Sequence, residues 1–429
     1  MASYGGAMVR QLRHNDASAA SDITETPYAK AVTGFKNYWY PAIPDRLLGS
    51  KPKRMVLLGE PIALIKRRNK VYAIQDECPH RGARMSLGKN EFPDTETLSC
   101  RFHGWTFDLA TGSCVAALTE GPESNVIGKV RIRTFPVEQR KGLVFIWMGR
   151  GKPVPLEEDI PALILAPDAR IKVRFRQVFG NWRQHAEGSA GGHFFMLHRD
   201  SIALLYHQLG AYNAVSLAQL QEHDPVDKRP YLLETNADYV WQGEYPSLGN
   251  WPPRRPWRIS RPPRRRGTRG TSTVVQGIKH IGISLPGFLR VPHFPQNNAV
   301  YYEWYIAIDS HHYHYMQISA HFPRNFIQRI WGAFWYNIWA GPIRKGRFNN
   351  QDKGVVRDGT EFEDRMGVHK PTPLYKPDVF PLMWIQMCNE YARGEGWKVS
   401  GKTSSQNTQI LENTIPVYEE KDDSTFSVS

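Results

Sequence analysis

Two kinds of apolar pattern run along the chain. The segments RMVLLGEPIALIKRRNKVYAI and LVFIWMG are short apolar runs broken by Gly, Pro and Asn, which predicts β-strands. The stretch NAVYYEWYIAIDSHHYHYMQISAHFPR alternates apolar and polar residues around Asp309 and Ser310, which predicts a long β-hairpin. NFIQRIWGAFWYNIWAG and PDVFPLMWIQMCNEYARG repeat apolar residues every three or four positions, which predicts helices. Strands followed by helices without β-α-β alternation indicate the α+β class.

These patterns divide the chain into three parts. Residues 37–150 are predicted to form a small all-β domain, and residues 151–429 a larger α+β domain. Residues 1–36 form an N-terminal segment that we expect to pack on the larger domain. The C-terminal end, EEKDDSTFSVS, is polar, and we expect it to be mobile.

Length and cysteine content exclude several classes of protein. A chain of 429 residues that is 41% hydrophobic is long enough for two domains with real cores. No stretch has the length and apolar character of a secretory signal or a membrane span, so we expect a cytoplasmic protein without membrane contact. Four cysteines in so long a chain do not form a disulfide framework.

The charge of +14 comes largely from one stretch. Eight arginines lie between Arg254 and Arg269 with no acidic residue among them, and subtracting 8 from 14 leaves +6. We interpret residues 247–273 as a basic insertion on the larger domain, either an inert loop, a docking patch for an acidic electron donor, or a product of out-of-frame translation. Nucleic-acid binding is not expected, because aromatic residues within it are limited to Trp251 and Trp257.

A paired Cys/His motif carries the first candidate chemistry. Cys78 and His80 form C-x-H, and Cys100 and His103 form C-x-x-H, with nineteen residues between His80 and Cys100. A tetrahedral zinc site accepts two thiolates and two imidazoles. Each half here donates one sulfur and one nitrogen, however, whereas a Rieske 2Fe-2S cluster takes two cysteines on one iron and two histidines on the other. The ligand set therefore favours the cluster, with zinc as the alternative.

The flanks of the four ligands resemble a known family. CPHRGARMSLG and CRFHGWTFDLATGSC are similar to the two cluster loops of Rieske non-heme iron oxygenases. Gly82 and Gly104 suit loops whose backbone approaches sulfur closely. The resemblance implies that residues 37–150 are the Rieske domain and that the cluster lies at the tips of its loops.

A second motif resembles the site of mononuclear iron in the same family. GNWRQHAEGSAGGHFFMLHRDS offers His193 and His198, and two histidines with one carboxylate form the facial triad of Fe(II) oxygenases. NWRQHAEG, ISLPGFLRVPHFP, YYEWYIAID and GRFNNQDKGVVRD resemble carbazole and oxoquinoline oxygenases in particular. In that subgroup the aspartate after FNN-x closes the triad, which implies Asp352 here. Asp358 and Glu361 lie close enough on the same predicted helix to be alternatives.

One position departs from the family pattern. The family has an aspartate three residues before its first histidine, which hydrogen-bonds that ligand and links it to the cluster of a neighbouring subunit. Ala190 occupies this place, and Glu187 is the nearest carboxylate that we expect to substitute for it as a catalytic residue.

The resemblance implies a terminal oxygenase component. Its larger domain is expected to have the helix-grip fold, with an antiparallel sheet wrapped around helices that hold the iron. No G-x-G-x-x-G turn is present to bind a nicotinamide, so a ferredoxin or flavin reductase must supply electrons for oxygenation of an aromatic substrate by O2. A homotrimer is also implied. The alternative function, motivated by Ala190, is an electron-transfer protein with an inactive mononuclear site.

Overall fold

The computed structural model describes residues 26–189, 197–198, 214–238, 243–245, 249–251, 280–294, 298–367 and 378–394. Three sequence predictions concern residues outside these ranges, namely His193, Ala190 and most of the arginine-rich stretch.

The N-terminal part of the described chain is all-β, as predicted. Its ten strands form three antiparallel sheets, ordered β1-β10-β9, β2-β3-β4-β8 and β5-β6-β7. The strands are β1 Trp39–Pro44, β2 Lys53–Leu57, β3 Glu60–Arg67, β4 Lys70–Gln75, β5 Thr97–Ser99, β6 Trp105–Asp108, β7 Cys114–Ala117, β8 Thr134–Phe135, β9 Val137–Arg140 and β10 Leu143–Trp147.

The larger domain is built on a seven-stranded antiparallel sheet. Its strand order is β11-β19-β18-β17-β16-β13-β12, and the predicted hairpin around Asp309 and Ser310 is its β18-β19 pair. The strands are β11 Arg170–Phe179, β12 Ala214–Gln221, β13 Tyr231–Asp238, β16 His280–Ser284, β17 Phe288–Pro292, β18 Ala299–Ala307 and β19 His312–His321. A separate two-stranded sheet consists of β14 Gly243–Tyr245 and β15 Gly249–Trp251.

Six α-helices of the described chain complete the α+β class. They are α1 Pro27–Lys30, α2 Ala162–Leu165, α3 Trp182–Glu187, α4 Phe326–Trp335, α5 Arg347–Met366 and α6 Val379–Tyr391. Helix α4 continues without a break into a π-helix, Tyr336–Gly346, which contains Pro342 and leads directly into α5. The two helices predicted from apolar spacing are thus α4 with its π extension and α6. None of the described helices is long and apolar enough to cross a membrane.

One hydrophobic core joins the two domains. It includes Trp39 and Trp147 of the small domain and Trp304 of the larger one, all at most 2% exposed. Buried Asp159 holds the same junction, because its carboxylate accepts hydrogen bonds from the Trp39 backbone N–H at 2.8 Å and from Arg393 at 2.7 Å. The two domains therefore share packing that fixes their relative placement.

The first turn of the described chain also lies on the larger domain. The Tyr28 backbone N–H of α1 donates to Asn389 Oδ1 of α6 at 2.9 Å, and the Tyr28 hydroxyl contacts Glu187 of α3. Residues before Thr26 lie outside the described part, so the predicted boundary at residue 36 stays a prediction.

Candidate metal centres

Two loops of the same shape carry the paired Cys/His motif. The Cys78 backbone N–H donates to Ala83 O, and the Cys100 backbone N–H donates to Trp105 O, both at 2.8 Å. Gly82 and Gly104 each have φ of +68°, the left-handed region that favours glycine. One loop follows β4 and the other joins β5 to β6, so two neighbouring sheets present the two half-motifs toward each other.

The four side chains of these loops converge with the sulfurs inside. Cys78 and Cys100 are 3% and 4% exposed, and burial raises the pKa of the Cys78 thiol to about 11. The rings of His80 and His103 lie nearer the surface, with centroids 4.6 Å apart. Two buried thiols therefore face two accessible imidazoles.

The arrangement separates the two metal alternatives. A tetrahedral zinc ion gathers four ligands around one point, whereas each iron of a Rieske cluster takes two from the protein. The two buried sulfurs on one side and the two neighbouring imidazoles on the other match this division of ligands.

A second centre lies in a cavity between the large sheet and helix α5. Apolar side chains form much of its wall, and His198 and Asp352 share it with Glu303. The described lining residues are His185, Ser189, His198, Ile281, Leu289, Val291, Phe294, Tyr301, Glu303, Tyr305, Phe348, Asn349 and Asp352. Concave, largely apolar sites with few polar groups are typical of small-molecule binding.

The structure brings His198 and Asp352 together, as an iron site requires. His198 Nε2 lies 3.0 Å from Asp352 Oδ1, and His198 Nδ1 lies 2.9 Å from Gln351 Oε1. A carbonyl oxygen only accepts, so Nδ1 is the donor to Gln351 and Nε2 is the ring nitrogen that faces the carboxylate. The 3.0 Å between Nε2 and Oδ1 is short enough for one metal cation to be bound by both atoms.

The same geometry separates Asp352 from the other carboxylates of α5. The side chain of Asp358 is 69% exposed and pairs with Arg357, and Glu361 is also exposed. Neither lines the cavity. Of these three acids only Asp352 approaches His198.

Several residues of this centre were missed at the level of sequence. His185 stacks on Tyr305 with ring centroids 4.2 Å apart, and its Nδ1 lies 2.5 Å from the Tyr313 hydroxyl. Glu303 is buried and hydrogen-bonded to Asn349 of α5. The motifs NWRQHAEG, YYEWYIAID and GRFNNQDKGVVRD contain His185, Glu303 and Gln351, so the signal was present, but the spacing assigned them no role.

Glu187 takes a different place from the one expected. Its carboxylate accepts from the Tyr28 hydroxyl of α1, and it does not line the cavity that contains His198 and Asp352. Burial raises the pKa of Glu187, and the guanidinium of Arg183 opposes that shift. The expectation of a catalytic Glu187 therefore finds no support here, because its carboxylate anchors the N-terminal turn.

Comparison with known proteins follows the same division of the chain. Residues 38–136 match the family model of the Rieske 2Fe-2S domain, and residues 147–218 and 259–395 match that of homotrimeric ring hydroxylases. The terminal oxygenase component of carbazole 1,9a-dioxygenase from a Sphingomonas species is 31% identical over 390 residues, covering 86% of this chain and 94% of the relative. The chain belongs to the Rieske ring-hydroxylating oxygenases.

Solved structures of this Rieske oxygenase family share the fold. The terminal oxygenase of carbazole 1,9a-dioxygenase from Nocardioides aromaticivorans is 28% identical, with a TM-score of 0.71 over 86% of this chain and 97% of that one. A reduced complex of oxygenase and ferredoxin from carbazole 1,9a-dioxygenase gives a TM-score of 0.73 at 25% identity, over 89% and 96% of the two chains. The predicted family and fold class are confirmed.

The comparisons also bear on cofactors and on the basic stretch. The Rieske domain binds a 2Fe-2S cluster, and ring hydroxylases of this family carry mononuclear iron. The hydroxylase match stops at residue 218 and resumes at 259, inside the predicted insertion at 247–273. Most of that insertion lies outside the described residues, so its interpretation stays a prediction.

Proposed function

We propose that Asp352 and His198 hold a mononuclear Fe(II) together with His193, which lies outside the described residues. Cys78, His80, Cys100 and His103 hold the Rieske cluster. The observation that carries this proposal is the 3.0 Å approach of His198 Nε2 and Asp352 Oδ1 inside an apolar cavity. When bound, the iron supplies O2 activation with electrons from the cluster, and the reaction oxygenates an aromatic or heteroaromatic substrate.

The side chains around the iron site have separable tasks. Gln351 fixes the tautomer of His198 so that Nε2 faces inward, and such outer contacts commonly set metal affinity. Ile281, Leu289 and Phe294 offer an apolar wall for a flat ring and exclude water. The cavity thus favours an apolar aromatic compound over a strongly hydrated one.

The partners follow from the chemistry and from the relatives. The chain has no nicotinamide-binding turn, so a ferredoxin or flavin reductase must deliver electrons to the loops at His80 and His103. The related oxygenase in complex with ferredoxin supports this donor class, and the matched family description supports a homotrimer. A cytoplasmic location belongs to the same proposal.

The test is the iron and acid-labile sulfide content of anaerobically purified protein. Three irons to two sulfides per chain are expected, followed by substrate-dependent oxygen uptake with a reductase and aromatic compounds. Two irons to two sulfides would overturn the proposal and favour the electron-transfer alternative that Ala190 motivates.

A further inference from the structure

A buried carboxylate stands behind the iron site with no part in the proposed ligand set. Glu303 of β18 is 3% exposed and lies in the sheet between Leu289 of β17 and Gln317 of β19. A carboxylate away from water is costly unless donors surround it. A carboxylate that is buried at such cost in the wall of this cavity points to a specific task.

Both carboxylate oxygens of Glu303 accept hydrogen bonds from other side chains. Glu303 Oε1 accepts from Asn349 Nδ2 at 2.6 Å, and Oε2 accepts from the Tyr305 hydroxyl at 2.8 Å. Asn349 Nδ2 also donates to the Tyr315 hydroxyl at 2.8 Å. Asn349, which is itself 3% exposed, therefore connects α5 to two strands of the sheet, through Glu303 of β18 and Tyr315 of β19.

Asn349 lies one helical turn before Asp352. Three residues along an α-helix advance it by about 4.5 Å and return to within about 60° of the same face. Fixing Asn349 therefore fixes the height and rotation of the turn that ends at Asp352. The same turn supplies Gln351 and Asp352 to His198, so a small rotation would separate both contacts at once.

We infer that Glu303 and Asn349 form a latch whose task is to position Asp352 for iron. They are positioning residues, because they act through the helix and not on the metal. This inference rests on the proposed function, since it takes Asp352 to be an iron ligand. Loss of an outer-shell contact of this kind typically weakens metal binding by 10- to 100-fold.

The decisive experiment measures the mononuclear iron without relying on turnover. Wild type, Asn349→Leu, Glu303→Leu and Glu303→Gln are purified anaerobically, and the release of iron to a chelator is followed beside the cluster absorption. The two Leu variants are expected to release one iron per chain roughly 10 to 100 times faster, with an unchanged cluster spectrum. Glu303→Gln should stay close to wild type, because its amide still accepts from Asn349.

A matched control lies next in sequence. Asn350 is on the same helix but is exposed, and its side chain accepts a long hydrogen bond of 3.4 Å from Arg176. Asn350→Ala should therefore release iron at the wild-type rate. Wild-type release from both Leu variants would overturn the latch. If Asn349→Leu does not fold, Tyr315→Phe removes one contact to Asn349 and must itself speed release.

The two proposals fail in different ways. Wild-type protein that holds only two irons per chain contradicts the proposed function. A wild type with three irons, combined with variants that keep the third iron as firmly, contradicts the latch alone.

Discussion

His103 lies at the tip of the β5-β6 turn, with its ring beside that of His80. Replacing His103 by Ala removes one of two nitrogen ligands from one iron of the cluster. We expect the visible Rieske absorption to be lost. His311→Ala is a matched control. His311 is an exposed histidine in the β18-β19 hairpin of the larger domain, and it pairs with Asp364 of α5. A retained Rieske spectrum in His103→Ala would contradict the ligand assignment.

Asp352 is tested against an acid of its own helix. Asp352→Ala should keep the cluster spectrum but abolish substrate-coupled oxygen uptake, because the facial triad loses its carboxylate. Asp358→Ala should change neither property, since Asp358 is exposed and lies outside the cavity. Surviving turnover in Asp352→Ala would mean that another carboxylate holds the iron.

Glu187 offers a test of stability against pH. Its raised pKa means that the folded state binds the proton more tightly than the unfolded state, so the free energy of unfolding falls as pH rises above the ordinary carboxyl range. Glu187→Gln removes this dependence while still accepting from Tyr28. The free energy of unfolding of the variant minus that of wild type should therefore be larger at pH 8 than at pH 5. Urea unfolding at the two pH values measures this difference.

The exposed Glu361→Gln is the control for that measurement, and it should follow the wild-type curve at every pH. An equal difference between Glu187→Gln and wild type at both pH values would show that the buried carboxyl does not titrate as its surroundings require.

Single residues also show how far sequence reasoning reached. The four cluster ligands are close in sequence and stand in a characteristic pattern, so local spacing was enough to select them. Asp352 needed the resemblance, because spacing alone allowed Asp358 and Glu361. The roles of Glu303 and Gln351 depend on how α5 lies over the sheet, which no local pattern encodes. A catalytic role for Glu187 stays a prediction, and the contact of its carboxylate with Tyr28 of α1 could not be read from local spacing either.

Among the elements, the junction of β11 with α3 depends on Gly180. Gly180 has φ of +144°, and an added Cβ would lie 2.6 Å from Val356 Cγ1 of α5. Gly180→Ala should lower the free energy of unfolding by about 1–3 kcal/mol through backbone strain, with a further cost from the contact with α5. The midpoint of thermal unfolding measures this loss.

Gly354 gives a control of opposite sign. It lies inside α5, and an added Cβ meets no atom within 4 Å. Gly354→Ala should raise the free energy of unfolding by about 0.5–1 kcal/mol, because alanine loses less backbone entropy in a helix. A lower free energy of unfolding for Gly354→Ala would mean that the added methyl group meets atoms packed on this face of α5.

The elements themselves were largely predictable. The strand pattern on either side of Asp309 and Ser310 gave the β18-β19 hairpin. It did not show that both faces of these two strands are almost entirely buried. The apolar spacing after Asn325 gave a helix but not its change of geometry, because apolar spacing cannot distinguish the π-helix of Tyr336–Gly346 from an α-helix.

At the scale of the whole molecule, a homotrimer allows two inactive variants to complement each other between subunits. If each cluster serves the iron of a neighbouring subunit, His103→Ala and Asp352→Ala chains assembled together should regain activity that neither has alone. Random mixing of equal amounts in a closed trimer gives about a quarter of the iron sites an intact ligand set and an intact neighbouring cluster. Oxygen uptake by the mixed trimers measures this recovery.

Separately purified homotrimers that are combined without exchange of subunits are the control for mixed assembly, and they should stay inactive. An absence of recovery in verified mixed trimers would mean that the cluster and the iron of each reaction belong to one chain. This conclusion would hold whether or not Ala190 can stand in the place of the bridging aspartate.

The unbroken run from α4 through the π-helix to α5 makes chain length itself a requirement for activity. Every residue turns the chain by about 100° in an α-helix, and by less in the wider π-helix. One deletion between Trp335 and Arg347 would therefore turn Asn349 away from Glu303 and Asp352 away from His198. A substitution there leaves the number of residues before α5 unchanged, whereas an insertion or deletion alters which face of α5 meets the sheet. The segment is therefore far less tolerant of insertions and deletions than of exchanges.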